Sequence, residues 1–337
     1  MKGWSSPASF VSDTRRSESL TSVTGPATAQ PTTPRRTLIV TADDFGLSLE
    51  INEAVEEAHR TGILTCASLM VGGPASADAI ARARRLPRLG VGLHLTLTAG
   101  QALLDHASLP HLTDRAGRFR GSMQTVSFRL VIDRALRREL RREIHAQFEA
   151  FRASGLPLDH VDTHKHFHTH PFVFEDLVGI GRSYGLRSLR IPYEPRRPGR
   201  AITGGSAPRA SVSTLAMALP LRRMRRRCHE LGLVSNDCVL GLRASGAMDK
   251  AHILRALRAP LTGVVELYLH PAMISGAEVD PQAATARHAE EYQALIDPEI
   301  KRAAHDLGWK LSTYGELASG TEDRPSSPSI PQPDALE

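Results

Sequence analysis

Short apolar runs alternate with helical stretches from about Arg36 to Ala318. "TLIV" (37–40) reads as a strand running into two acids, Asp43 and Asp44. "EINEAVEEAHRTG" (50–62) has helical spacing, with Ser48 as its cap and Gly62 as its stop. "TCASLMVGG" (65–73) is a second strand, followed by a helix, "ASADAIARARRLP" (75–87), ended by Pro87. "GVGLHLTLT" (90–98) is a third strand. Its alternation turns Val91, Leu93, Leu95 and Leu97 one way and Gly92, His94, Thr96 and Thr98 the other. Residues 133–154 carry apolar positions at helical spacing and stop at Gly155. "DHVDTHKHF" (159–167) reads as a strand, "PFVFEDLVGIGRSYG" (171–185) as a helix and "RSLRIP" (187–192) as a strand. "GVVELYLHP" (263–271) is a late strand, and 286–308 supplies the last helical material before "WKLSTYGELA". Repeated β-then-α order predicts an α/β fold, a parallel sheet covered by helices. With this many units a closed or partly closed (β/α) barrel is expected, as a single domain over 36–318.

The flanks lack any such period. Residues 1–35 and 319–337 are rich in Ser, Thr, Pro and charge, and are expected to be disordered. The first residues lack the apolar core of a secretory signal, and no apolar run reaches the roughly 20 residues needed to span a bilayer. The net charge of +6 is carried largely by Arg. Aromatic residues are only 5%, which argues against a base-stacking nucleic-acid binder. Cys66, Cys228 and Cys238 form no C-x-x-C pair and are odd in number, so neither a disulfide framework nor a thiolate zinc site is expected. A reducing cytoplasm fits. No glycine-rich nucleotide loop follows a strand, and no G-x-S-x-G elbow is present.

In barrels of parallel strands, chemistry sits at the strands' C-terminal ends. Four groups fall there: Asp43–Asp44, His94, the run "DHVDTHKHFHTHP" and His270. Two neighbouring carboxylates raise each other's proton affinity unless a cation sits beside them. The Phe45-Gly46 turn is expected to let both reach one site, one Asp binding a divalent metal and the other free as a base. His160, Asp162, His164, His166, His168 and His170 share a parity, so as a strand they would all project to one face. Glu266, Tyr268 and His270 share another face. Two imidazoles and one carboxylate leave room on a metal for water and substrate, which fits amide or ester hydrolysis.

"TADDFG", "VGLHLTLT", "LDHVDTHKHFHTHP" and "ELYLHP", in that order, resemble the YdjC-like carbohydrate deacetylases, over roughly 36–318. The order differs from that of amidohydrolases, in which an H-x-H pair comes first. The resemblance implies a β/α-barrel-like fold and a metal held by Asp44, His94 and His164. It implies Asp43 as general base and His270 as general acid or oxyanion stabiliser. His166 and His168 would be substrate contacts or supports behind the ligands. Family members are described as Mg²⁺-dependent, whereas the donor types by themselves suit Zn²⁺ or another transition ion. Further likeness, in "ASLMVGGPASADA", "HKHFHTHP", "RIPYEP" and "SNDCVLGLRASGAMDK", points to the hopanoid-biosynthesis branch. The implied substrate is N-acetylglucosamine on a hopanoid lipid, with soluble chito-oligosaccharides as the alternative. Arg190 is a candidate for substrate hydroxyls or, equally, a structural ion pair. "LAMALPLRRMRRRCHELG" (215–232), with its arginines at 222–227, is either a basic amphipathic segment for the inner membrane face or a solvated helix face. A homodimer is left open. The rivals are a glycosidase, which needs two carboxylates about 5–9.5 Å apart across a bond, and a non-catalytic lipid or sugar binder that keeps a metal site.

Overall fold

The structure is a computed structural model that describes residues 36–204, 218–276 and 285–320. The expected disorder of 1–35 and of the tail lies outside the described residues, except that Ser319 still closes a helix. The described residues fall in one compact unit.

The chain runs β1 (Arg36–Phe45), α1 (Leu49–Thr61), β2 (Cys66–Leu69), α2 (Ser76–Ala83), β3 (Gly90–Leu95), α3 (Met123–Ile132) and α4 (Arg134–Ala153). It continues with β4 (Val161–Thr163), a 3₁₀ stretch (His164–Thr169), α5 (Pro171–Gly181), α6 (Arg196–Ile202), α7 (Ala218–Glu230) and β5 (Cys238–Leu240). The last elements are α8 (Lys250–Arg258), β6 (Gly263–Leu269), α9 (His288–Ile296), α10 (Pro298–Asp306), β7 (Lys310–Leu311) and α11 (Tyr314–Ser319).

All strand pairs are parallel, in the order β4-β3-β2-β1-β6-β5, with β7 on the early part of β1. The sheet curls, and an extended connection draws its edges together. Arg190 N–H donates to Val161 O beside β4, Leu189 N–H to Val234 O, and Val239 N–H, on β5, to Tyr193 O. The result is a partly closed barrel, as the β/α alternation implied. The expected strand at 187–192 is thus a closing strap with isolated bridges at Ser188 and Leu189, not a ladder strand.

Helix boundaries follow local chemistry. Ser48 accepts from Ile51 N–H to start α1, and Gly62 ends it. Asp133 caps α4, whose Leu136, Leu140, Ile144, Phe148 and Phe151 recur every three or four positions and pack on the sheet. The main apolar core lies between sheet and helices. A second, small cluster of Ile39, Cys66 and Tyr314 plugs the barrel's lower interior, with Tyr314 delivered by α11. Above that plug the interior is polar. Gly92 faces inward as expected, and a Cβ there would stand 2.5 Å from the His160 ring.

The basic segment 215–232 is helical from Ala218, but its apolar stripe is spent on the protein. Leu221, Met224 and Cys228 are buried in the core, while Arg226 and Arg227 face outward beside Glu230. Among the described residues of this segment Leu219 remains exposed, and residues 215–217 lie outside the described residues. Among the described residues no helix is long and apolar enough to cross a membrane.

Candidate metal centre

β1 pairs regularly with β6 through Ala42, then shifts register against β2 between Ala42 and Phe45. The cause is Asp44, whose φ of 63° is left-handed, a conformation that non-glycine residues adopt at a cost of about 1–3 kcal/mol. The break in alternation sits one residue earlier than the expected Phe45-Gly46 turn. It keeps Asp43 in the barrel and swings Asp44 toward β3 and β4.

There Asp44 Oδ1 stands 3.3 Å from His94 Nε2 and 3.1 Å from His164 Nδ1. One ligand atom from each of the three residues lies within 4.8 Å of the others. His94 Nδ1 is 2.9 Å from Asp162 Oδ1. With the proton on Nδ1, that bond fixes the ring and turns the Nε2 lone pair toward Asp44. One carboxylate oxygen and two imidazole nitrogens fit a divalent ion. Burial alone would push the Asp44 carboxyl up, but His164 and His94 more than reverse this and hold it well below the ordinary value. Burial likewise works against protonation of His94, and Asp162 and Asp44 outweigh it, so its pKa is raised well above 6.5. A proton and a metal would compete for the same electron pair.

Asp43 belongs to a different partnership. Arg190 grips it with two parallel bonds, Nη1 to Oδ2 at 2.7 Å and Nη2 to Oδ1 at 2.8 Å. The same guanidinium donates from Nη2 to Glu266 Oε1 at 2.8 Å and pairs through Nη1 with Asp162 Oδ2. Arg190 is fully buried, so it reaches no substrate hydroxyl, and the ion-pair alternative is the one observed. Glu266 is held in turn by Thr41 Oγ1 and Tyr314 O–H, each donating at 2.7 Å. Asp43, Asp162 and Glu266 are buried around this one arginine, and Asp44 is buried nearby against His94 and His164. Formal charge is strongly negative there unless a further cation joins, which is a second reason the site suits a metal.

The histidine run departs from expectation after Thr163. The strand ends there, and Lys165 and His166 are left-handed (φ 56° and 54°). The shared parity therefore holds for His160 and Asp162 but not for His164, His166, His168 and His170, which lie on the 3₁₀ stretch and at its end. His168 is fully buried between Thr163 Oγ1 (2.6 Å) and Arg190 O (2.9 Å), so it buttresses the strap rather than meeting substrate. Burial pushes its pKa down to about 4. His166 packs edge-on against Tyr268, its Nδ1 buried without a hydrogen-bond partner. The His270 ring packs against the other side of this cluster, 5.3 Å from Tyr268. Its backbone is clamped by Glu291 (N–H to Oε2, 2.6 Å) and by His288 Nδ1 on its carbonyl.

A second cluster, Cys66, Asp159 and His160, also meets the spacing of a metal site. Its donors are already used: Asp159 takes Gly315 N–H and His160 Nδ1, and His160 Nε2 pairs with Ser68. Burial pushes the Cys66 thiol up, and the cluster serves as polar packing low in the barrel. Glu266, Tyr268, Asp162 and Tyr314 surround the site without having been singled out for it. The first three carried a signal, the parity of "VVELYLHP" and "DHVDTH". Tyr314 carried none, since its helix was not expected.

The comparisons agree with this architecture. The "YdjC-like protein" family matches residues 37–306. A carbohydrate deacetylase of Geobacillus stearothermophilus is 38% identical over 284 residues, covering 84% of this chain and 98% of the relative. A chitooligosaccharide deacetylase of Proteus mirabilis is 29% identical over 286 residues, covering 83% and 98%. Among solved structures, that of a candidate cellobiose-phosphate cleavage protein of Enterococcus faecalis V583 aligns with a TM-score of 0.65 at 25% identity, over 84% of this chain and 99% of that one. A curled parallel barrel with Asp44, His94 and His164 gathered at its mouth is thus the setting in which the family match falls, and the chain belongs to the YdjC-like family.

Proposed function

We propose that this chain removes the acetyl group from an N-acetylated amino sugar by metal-assisted hydrolysis. The observation that carries the reading is the convergence of Asp44, His94 and His164 beside a second, separately held carboxylate, Asp43. Similarity to sugar deacetylases supports the substrate class. Asp44, His94 and His164 would hold the ion, and with two nitrogen donors Zn²⁺ or another transition ion suits them better than the Mg²⁺ ascribed to the family. When bound, such an ion acidifies water and polarises a carbonyl.

The chain's own residues supply the rest. Asp43 accepts the proton of the attacking water. Arg190 occupies one lone pair on each of its oxygens, fixing the carboxylate plane and leaving the others open. Asp162 keeps His94 in one tautomer. His270, at the end of β6, gives a proton to the departing amine. We assign the sugar to a hopanoid lipid, on the likeness of "RIPYEP" and "SNDCVLGLRASGAMDK" to that branch. Three buried free cysteines fit a reducing compartment, and the lipid-borne substrate would place the enzyme at the inner membrane face.

The test is acetate release from an N-acetylglucosaminyl hopanoid and from diacetylchitobiose, after chelation and with defined metals added back. Release restored by metal supports the reading, and a faster lipid reaction supports the acceptor. Cleavage of the glycosidic bond instead, or metal-independent release, refutes it. An Asp43→Asn variant that binds metal and sugar but turns over nothing separates a hydrolase from a binder.

A further inference from the structure

In a barrel of parallel strands the helix after each strand starts at the mouth, so exposed residues can be placed by topology alone. Leu49 opens α1, Phe172 stands at the start of α5, and Ile274 follows β6. Met273 N–H donates to Glu50 O, which brings Ile274 near Leu49. The longest helix, α4, returns the chain to the base of β4, so its first residue, and Ile132 just before it, lie at the mouth. On α3, Val126 and Leu130 face inward, leaving Phe128, Val131 and Ile132 exposed by 68%, 57% and 66%. Six of the nine large apolar side chains exposed among the described residues fall on this face, Leu103, Tyr193 and Leu219 being the others, whereas scattered single ones would need no explanation.

Charge is arranged around the same ridge. Arg134, Arg138 and Arg141 are exposed along the first two turns of α4, and the Arg137 guanidinium lies 4.1 Å over the Phe172 ring. Of the nearby acids, Asp133 is engaged in capping α4 and Asp176 faces Arg141 at 3.6 Å. Apolar side chains beside arginines in excess of their neighbouring acids, here Arg134 and Arg138 with Arg141 shared with Asp176, are what an anionic bilayer binds. A symmetric contact with a second copy would set these arginines against their own counterparts, which charge disfavours.

We propose that the mouth of the barrel docks on an anionic bilayer surface. Phe128, Val131 and Ile132 enter the interface, and Arg134, Arg138 and Arg141 meet the headgroups. This deepens the lipid-borne substrate assigned above, and rests on that reading for its purpose though not for its geometry. A sugar standing on the bilayer would then enter the site without leaving it.

The experiment is co-sedimentation of the full chain with phosphatidylglycerol–phosphatidylcholine vesicles and with pure phosphatidylcholine vesicles. The expected result is binding to the anionic vesicles alone, weakened by salt. Replacing Arg134, Arg138 and Arg141 together by Gln should lower partition about a hundredfold, each arginine counting for roughly a factor of five. Phe128→Ser with Ile132→Ser should also release the protein. Turnover of a soluble disaccharide, unchanged in both variants, shows that they are folded. Failure of the full chain to sediment with anionic vesicles, or unaltered binding by both variants, overturns the proposal. So does light scattering that shows a dimer which Phe128→Ser makes monomeric. Vesicle binding without any deacetylation would leave the docking intact and sink the proposed activity instead.

Discussion

Arg190→Met removes the one cation shared by Asp43, Asp162 and Glu266 and leaves three carboxylates in a dry interior. Stripping one partner from a buried ion pair costs about 3–5 kcal/mol, a large part of the roughly 5–15 kcal/mol that stabilises a domain. The pH dependence has a definite sign. In the native protein burial would raise the Asp162 carboxyl, but Arg190 and His94 hold it well below 3.8. It therefore contributes stability above its unfolded value, and that contribution fades as pH falls. Without Arg190 the burial of Asp162 is opposed by less, so its carboxyl rises and folding takes up protons. The deficit of the variant should be widest near pH 8 and narrow toward about pH 5. Urea unfolding of metal-free protein at both pH values measures it, with Arg190→Lys, which keeps the charge but not the fork, falling between. A deficit below about 1 kcal/mol near pH 8 would put the interaction at the level of an exposed ion pair and refute the argument. A deficit that does not change with pH would refute it too.

Asp162→Asn should weaken metal affinity about 10- to 100-fold by releasing the His94 ring, read by competition with a chromophoric chelator. Asp43→Asn should lower kcat by about 10²–10⁴ while metal content, measured by elemental analysis, stays at the native level. His164→Ala should abolish stoichiometric metal and, with it, the rise in Tm that added metal gives the native protein. Gly92→Ala should lower Tm markedly, because the new methyl would press on the His160 ring; an unchanged Tm would mean that the barrel interior gives way there.

Much of the site was legible because the fold presents it on strand ends. Residue type and place pointed to the Asp43–Asp44 pair, His94 and the histidine run, while the choice of Asp44, His94 and His164 among them came from the family resemblance; Ser48, Gly62 and Gly155 marked helix limits by their own chemistry. Period alone misled at 164–170. Alternation of histidines looks the same in a strand and in a tight turn, and only the left-handed Lys165 and His166 distinguish them. Arg190 was legible as a cation but not as the hub of three acids, since its partners lie as far as 147 positions away. The three-residue β5 and two-residue β7 are too short to show a period of two. The arginine-rich segment 222–227 drew attention by composition, whereas the exposed ridge on α3 emerged only from burial.

The arginine hub also dictates when the site can exist during synthesis. Asp43, Asp162, Arg190 and Glu266 leave the ribosome in that order, and Tyr314, which holds Glu266, comes after them all. Arg190 can gather Asp43 and Asp162 early, but until that last helix docks Glu266 lacks its Tyr314 partner and the pocket has no floor. A nascent chain stalled before β6 would carry Asp44, His94 and His164 yet lack Glu266 and Tyr314, which complete the support behind Arg190. Formation of the centre is thus tied to closure of the whole ring, and a fold built on such distant pairings is expected to assemble slowly, in one late step.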